Sequence, residues 1–87
     1  MEIRVLDEFI TLPGQGVALL CLDEENAHLL RPGQALTDAQ GKRHELKKIT
    51  VQEDVCLLHI PAGDPAYFER LFRNIFVDAT RVVAEDA

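Results

Sequence analysis

The apolar positions of this chain fall in short runs separated by turn residues. Glu8-Phe9-Ile10-Thr11-Leu12 and Val17-Ala18-Leu19-Leu20-Cys21 flank Pro13-Gly14-Gln15-Gly16, which predicts a β-hairpin with a four-residue connection. Upstream, Ile3 and Val5 share one strand face, whereas Leu6, Ile10 and Leu12 share the other. A side-chain period of two admits that slip only through a bulge or bend, expected at Asp7-Glu8. Residues 17–22 and 55–60 are apolar almost throughout, with His59 the exception. Such runs are central strands, and the two are expected side by side in one rolled sheet.

The remaining segments are shorter. Asp23-Glu24-Glu25-Asn26 reads as a charged loop, after which Leu29 and Leu30 touch the core. Arg31-Pro32-Gly33-Gln34 fits a type II turn, with Pro second and Gly third. Ala35-Leu36-Thr37 is a short strand ended by the turn Asp38-Ala39-Gln40-Gly41. Residues 42–51 read as one strand that buries Leu46, Ile49 and Val51, followed by the polar turn Gln52-Glu53-Asp54. Asp64-Pro65 starts a helix, because Asp caps the first turn and Pro suits its first position. Phe68, Leu71, Phe72 and Ile75 then fall at i, i+3, i+4 and i+7, one helical stripe. Residues 76–84 return to a strand pattern. The fold expected is mainly β: one domain over residues 1–87, a small six-stranded closed or nearly closed antiparallel β-barrel with one short helix near residues 65–74. Closure would remove the edges that two such apolar strands otherwise leave open to aggregation.

Composition narrows the function. The 87 residues carry nine basic and fifteen acidic side chains, a net charge of −6, which opposes non-specific binding to phosphate backbones. No stretch approaches the ~20 apolar residues of a membrane span. Met1-Glu2-Ile3-Arg4 is charged at once, unlike a secretory signal, so a cytoplasmic location and no membrane partner are expected. Cys21 and Cys56 lack Cys-x-x-Cys spacing and read as buried thiols of a reducing compartment. A Cys21–Cys56 disulfide stays open, because strand neighbours can be far apart in sequence.

Candidate chemistry is sparse. His28, His44 and His59 form no close ligand pair of the zinc type, and the chain has no serine for a nucleophilic triad. Cys56 and His59, three apart on a strand, point to opposite faces. No catalytic residue, metal site or cofactor is expected. Lys42-Arg43-His44-Glu45-Leu46-Lys47-Lys48 gathers four of the nine basic residues. It reads either as an edge strand guarded by lysines or as an anion or RNA contact made by Lys42, Arg43, Lys47 and Lys48. The helical stripe is expected to cover an open end of the barrel, with Tyr67 and Phe76 near the rim. Tyr67, Phe68 and Phe76 are then candidate contacts for a protein partner or a second copy of the chain.

Phe9 to Leu12, Gly14-Gln15-Gly16, Val17 to Cys21, Leu30-Arg31-Pro32-Gly33, Leu36, Gly41 and Ile49 together resemble the β-barrel second domain of translational GTPases such as elongation factor Tu. The similarity spans roughly residues 5–60, with Arg81-Val82-Val83 as a candidate last strand. Gln15 stands where the family has Arg, Leu22 where it has Gly, and Glu53-Asp54 lacks the family's preceding glycine. The helix at 64–73 is an insertion. No Gly-x-x-x-x-Gly-Lys-Ser/Thr loop occurs, so GTP binding is not expected. In the family this barrel contacts ribosomal RNA or the aminoacyl end of transfer RNA through residues without counterparts here. The resemblance implies a non-catalytic binding module that contacts a protein or ribonucleoprotein. The alternative is an acidic inhibitor or immunity-type protein whose Asp23-Glu24-Glu25 and Glu53-Asp54 loops mimic phosphates toward a basic partner.

Overall fold

The computed structural model describes residues 1–21 and 24–85, with the backbone alone at 24 and 25. Its strands are β1 (Glu2–Thr11), β2 (Val17–Cys21), β3 (Ala35–Thr37), β4 (Arg43–Glu45), β5 (Lys48–Gln52), β6 (Val55–Ile60) and β7 (Arg81–Ala84). The helices are α1 (Glu24–Ala27) and α2 (Pro65–Arg73). The strands form one sheet in the order β4-β3-β7-β1-β2-β6-β5, and every pairing is antiparallel.

The two apolar runs meet as their composition requires. β2 pairs β6 from Val17 opposite Ile60 to Cys21 opposite Cys56. Val17, Leu19, Cys21, Cys56, Leu58 and Ile60 share the inner face and are all 4% exposed or less. The phase slip in β1 is a true irregularity: Val5 faces Cys21 and Phe9 faces Leu19, so four steps on β1 match two on β2. The extra residues include Asp7 and Glu8. Before them β1 pairs β7 through Glu2, Ile3 and Arg4; after them it follows β2 to the turn. Gly16 holds that turn against the end of β6. Its φ is +79°, and a Cβ there would lie 2.1 Å from the Ile60 carbonyl oxygen, a space that no side chain can enter.

Residues 42–51 depart from expectation and change the strand count from six to seven. They are two strands, β4 and β5, at opposite edges of the sheet. The break lies at Leu46-Lys47, where consecutive residues bond in different directions. Leu46 N–H donates to Gln34 O at 2.9 Å and its carbonyl accepts from Gly33 N–H, whereas Lys47 N–H donates to His59 O at 2.9 Å. Among the described residues the ladder does not return on itself, so where the sequence led to a closed or nearly closed barrel the strands form a sheet that is not closed, with two edge strands consecutive in the chain. Val51, expected inside, is 62% exposed because it sits on the free edge of β5.

Helix α2 begins as its sequence dictates: Asp64 Oδ1 accepts from Ala66 N–H at 3.0 Å, and Pro65 is the first helical residue. Phe68 and Leu71 are buried. Phe68 reaches Phe9 on β1 (ring centroids 6.0 Å) and His44 on β4 (4.9 Å), although three strand spacings separate those strands along the sheet. The sheet is therefore strongly curled around this ring. The helix stops at Arg73, because Asn74 Oδ1 accepts from Phe76 N–H at 2.9 Å, a local bond that competes with the next helical turn. Ile75 consequently leaves the stripe and is 88% exposed. Other expectations are corrected in the same way. Glu24–Ala27 is one helical turn instead of a loop, Leu30 is buried but Leu29 exposed, and only Arg81–Ala84 of the last segment is strand. Residue Asp23 of the expected acidic loop lies outside the described residues.

Candidate functional site

The basic stretch at 42–48 is divided by the break at Leu46-Lys47. Arg43, on β4, makes a two-pronged ion pair with Glu85: Nε to Oε1 at 2.6 Å and Nη2 to Oε2 at 2.7 Å. That pair raises the Arg43 guanidinium above its ordinary value and lowers the Glu85 carboxyl below its own. Lys42 lies over the ring of Tyr67, its Nζ 4.3 Å from the centroid. Lys47 and Lys48 stand at the other edge of the sheet. There they line a cleft of about 250 Å³ together with Gly14, Gln15, His59 and Pro61.

Local structure explains each wall of that cleft. Gln15 is at the tip of the β1–β2 turn, where its N–H donates to Leu12 O at 2.8 Å. Pro61 follows β6 at the point where Gly16 lies against it. Lys48 is opposite His59 across the β5–β6 ladder, so both project from the outer face. His59 Nε2 bonds Thr50 Oγ1 at 3.1 Å, which fixes the imidazole beside the lysines. Both lysines are exposed, and among the described residues neither forms an ion pair. Two unpaired ammonium groups beside a glycine turn can hold an anion such as a phosphate.

A second polar cluster is buried under α2. Asp38 Oδ1 accepts from the backbone N–H groups of Gln40 (2.8 Å) and Lys42 (3.1 Å), which closes the β3–β4 turn. Asp38 Oδ2 accepts from His44 Nε2 at 2.7 Å and from the Tyr67 hydroxyl at 2.5 Å. Burial pushes the Asp38 carboxyl up, but the bonds from His44, Tyr67, Lys42 and Gln40 outweigh it and hold the group below its ordinary value. Burial and the Asp38 bond together push the Tyr67 phenol far above its own. Tyr67 is thus a protonated donor into a carboxylate, and the cluster ties α2 to the β3–β4 hairpin. No local sequence pattern pairs Asp38 with His44 or Tyr67. The available signals were an Asp opening a Gly-containing turn and a histidine at the inward position of a short strand.

The proposed partner contacts are not brought together. Phe68 is 1% exposed and belongs to the core, where it packs on Phe9, His44, Tyr67 and Phe72. Tyr67 is half-buried, while Phe76 is 89% exposed beyond the helix end. Phe76 lines a separate hollow with Val77, Val83, Glu2 and Arg81. Among the described residues no three His, Cys, Asp or Glu side chains stand close enough to hold a metal ion, and no helix is long and apolar enough to cross a membrane. Neither a protein-family model, a curated protein nor a solved structure matched the chain.

Proposed function

We propose that the chain is a non-catalytic binding module that contacts an anionic surface, RNA within a ribonucleoprotein, through Lys47 and Lys48. The observation that carries this reading is the pairing of those two lysines with the Gly14-Gln15 turn around one cleft on a chain of net charge −6. Arg43, spent on Glu85, and Lys42, over Tyr67, have no part in it. The architecture in this reading is a nearly closed barrel of the elongation factor Tu domain 2 kind. The crossing at Leu46-Lys47, which bonds to both ends of the sheet, and the contact of Phe68 with both β1 and β4 support it. A cytoplasmic location accords with such a partner.

Titration of the full chain with a structured RNA at low salt tests the proposal. Two phosphate contacts give a slope of log K against log salt of about −1.4 to −1.8. Binding is expected to be lost in the Lys47→Glu, Lys48→Glu double variant and kept in Arg43→Gln. Absence of salt-dependent binding, or its survival in the double variant, would overturn the reading. Co-purification from the native cell of one basic protein, released by Glu53→Lys, would put the phosphate-mimic alternative in its place.

A further inference from the structure

Cys21 and Cys56 are directly opposite each other across the β2–β6 ladder. They occupy the centre of one cross-strand row that runs Val5, Cys21, Cys56, Val51 over β1, β2, β6 and β5, buried at the first three positions and exposed at Val51 on the edge. Directly opposed residues of antiparallel strands have Cα atoms about 4.5–5.5 Å apart, inside the roughly 4.4–6.8 Å range of disulfides. The chain has two cysteines, so no other pairing within it competes. Cys21 is the last residue of β2, and Cys56 is the second of β6, separated from the Glu53-Asp54 turn by Val55 alone. Both thiols are shut away, at 0% and 4% exposed, but they sit at the end of the sheet, where strands open first.

We infer that Cys21 and Cys56 form a redox-responsive clasp: a cross-strand disulfide made when the chain meets a hydroperoxide and undone by a dithiol. The chemistry balances. The Cys56 thiolate, the slightly more accessible of the two, attacks hydrogen peroxide; the O–O bond breaks, and Cys56 sulfenic acid and one water result. The Cys21 thiol then attacks the sulfenic sulfur, an S–S bond forms, and a second water carries away the oxygen. Two electrons and two protons leave the thiols, and both reach the peroxide oxygens. Because both sulfurs face the same inner side, closure needs no change of register.

The test takes the full chain, reduced, through hydrogen peroxide at neutral pH. A second sample is refolded from urea in oxidised glutathione, so that access to the buried thiols cannot limit the result. Both titratable thiols are expected to disappear together. Non-reducing peptide mapping should join the segment around Cys21 to that around Cys56 within one chain. The melting temperature should rise on the order of 10 °C, from closure of the loop between them, and fall back on reduction. Cys21→Ala and Cys56→Ala variants should show neither the link nor the rise. Two thiols that stay titratable in both samples would overturn the inference. So would links only between chains, or oxidation that stops at sulfinic acid.

Discussion

The hydroxyl of Tyr67, on α2, donates to Oδ2 of Asp38, which lies 29 positions earlier in the turn after β3, at 2.5 Å. The same oxygen accepts from His44 Nε2. This carboxylate therefore joins the helix and edge strand β4 through Oδ2 and closes the turn through Oδ1. Two of its four bonds come from backbone N–H groups of the turn itself. Removing the carboxylate must cost more than removing any one donor.

Tyr67→Phe is expected to lower unfolding stability by about 1.5–3 kcal/mol, the cost of one lost bond to a charged acceptor. Asp38→Ala should cost roughly 3 kcal/mol or more, since it strands a buried imidazole and a phenol at once. Urea unfolding of both single variants and the double variant checks this. A coupling above about 0.5 kcal/mol marks the contact as direct, whereas simple additivity would count against it.

The pH dependence follows from the direction of the Asp38 shift. Its folded value lies below the ordinary 3.8, so the unfolded chain binds the proton more readily. The stability due to this group is complete above 3.8 and is lost as pH falls through the folded value. Glu2, Asp78 and Glu85 are lowered as well, so the decisive measurement is a difference. Asp38→Asn should flatten part of the acid limb of the stability curve relative to the parent. An unchanged limb would refute the role given to Asp38.

Tyr67 is the single tyrosine, which makes its titration readable by ultraviolet difference spectroscopy. Its folded value is raised above 10.0 by burial and by Asp38. Its contribution to stability is therefore full below 10.0 and lost as pH rises through the folded value. The phenol should remain protonated past pH 10 in the folded chain. A smooth titration near 10 in the folded chain would contradict the buried bond.

Gly14 and Gly16 both have positive φ but differ in surroundings. Nothing lies within 4 Å of a Cβ built on Gly14, while one on Gly16 meets the Ile60 and Pro61 carbonyls at 2.1 and 2.6 Å. Gly14→Ala should cost about 1–2 kcal/mol from backbone strain alone. Gly16→Ala adds a backbone clash and should cost roughly 3 kcal/mol or more. Equal losses in thermal or urea unfolding would mean that the turn does not rest on β6.

Phe68 and Phe76 separate core from surface. Phe68→Ala should destabilise by about 3–5 kcal/mol, and Phe76→Ala by no more than about 0.5 kcal/mol. Calorimetry of the two variants decides.

Local chemistry was enough to place most of the elements. The hairpin around residues 13–16, the slip at Asp7-Glu8, the turn at Gly33 and the start of α2 at Asp64-Pro65 each depend on residues adjacent in the chain. They were legible because proline, glycine, capping side chains and apolar period act over a few positions. The pairing of β2 with β6 was legible for a different reason: two runs apolar at every position but His59 belong together at the centre of a sheet. The division of residues 42–51 was not, because the reason Leu46 and Lys47 bond in different directions is that Gln34 and His59 lie on either side of them. That is a property of the curled sheet, not of the segment. The same curvature separates Lys47 and Lys48 from Lys42 and Arg43, brings the lysines to the Gly14-Gln15 turn, and folds α2 over Asp38 and His44. Which polar groups meet was decided by the order and curl of the strands, since contacts between residues tens of positions apart carry no local signature.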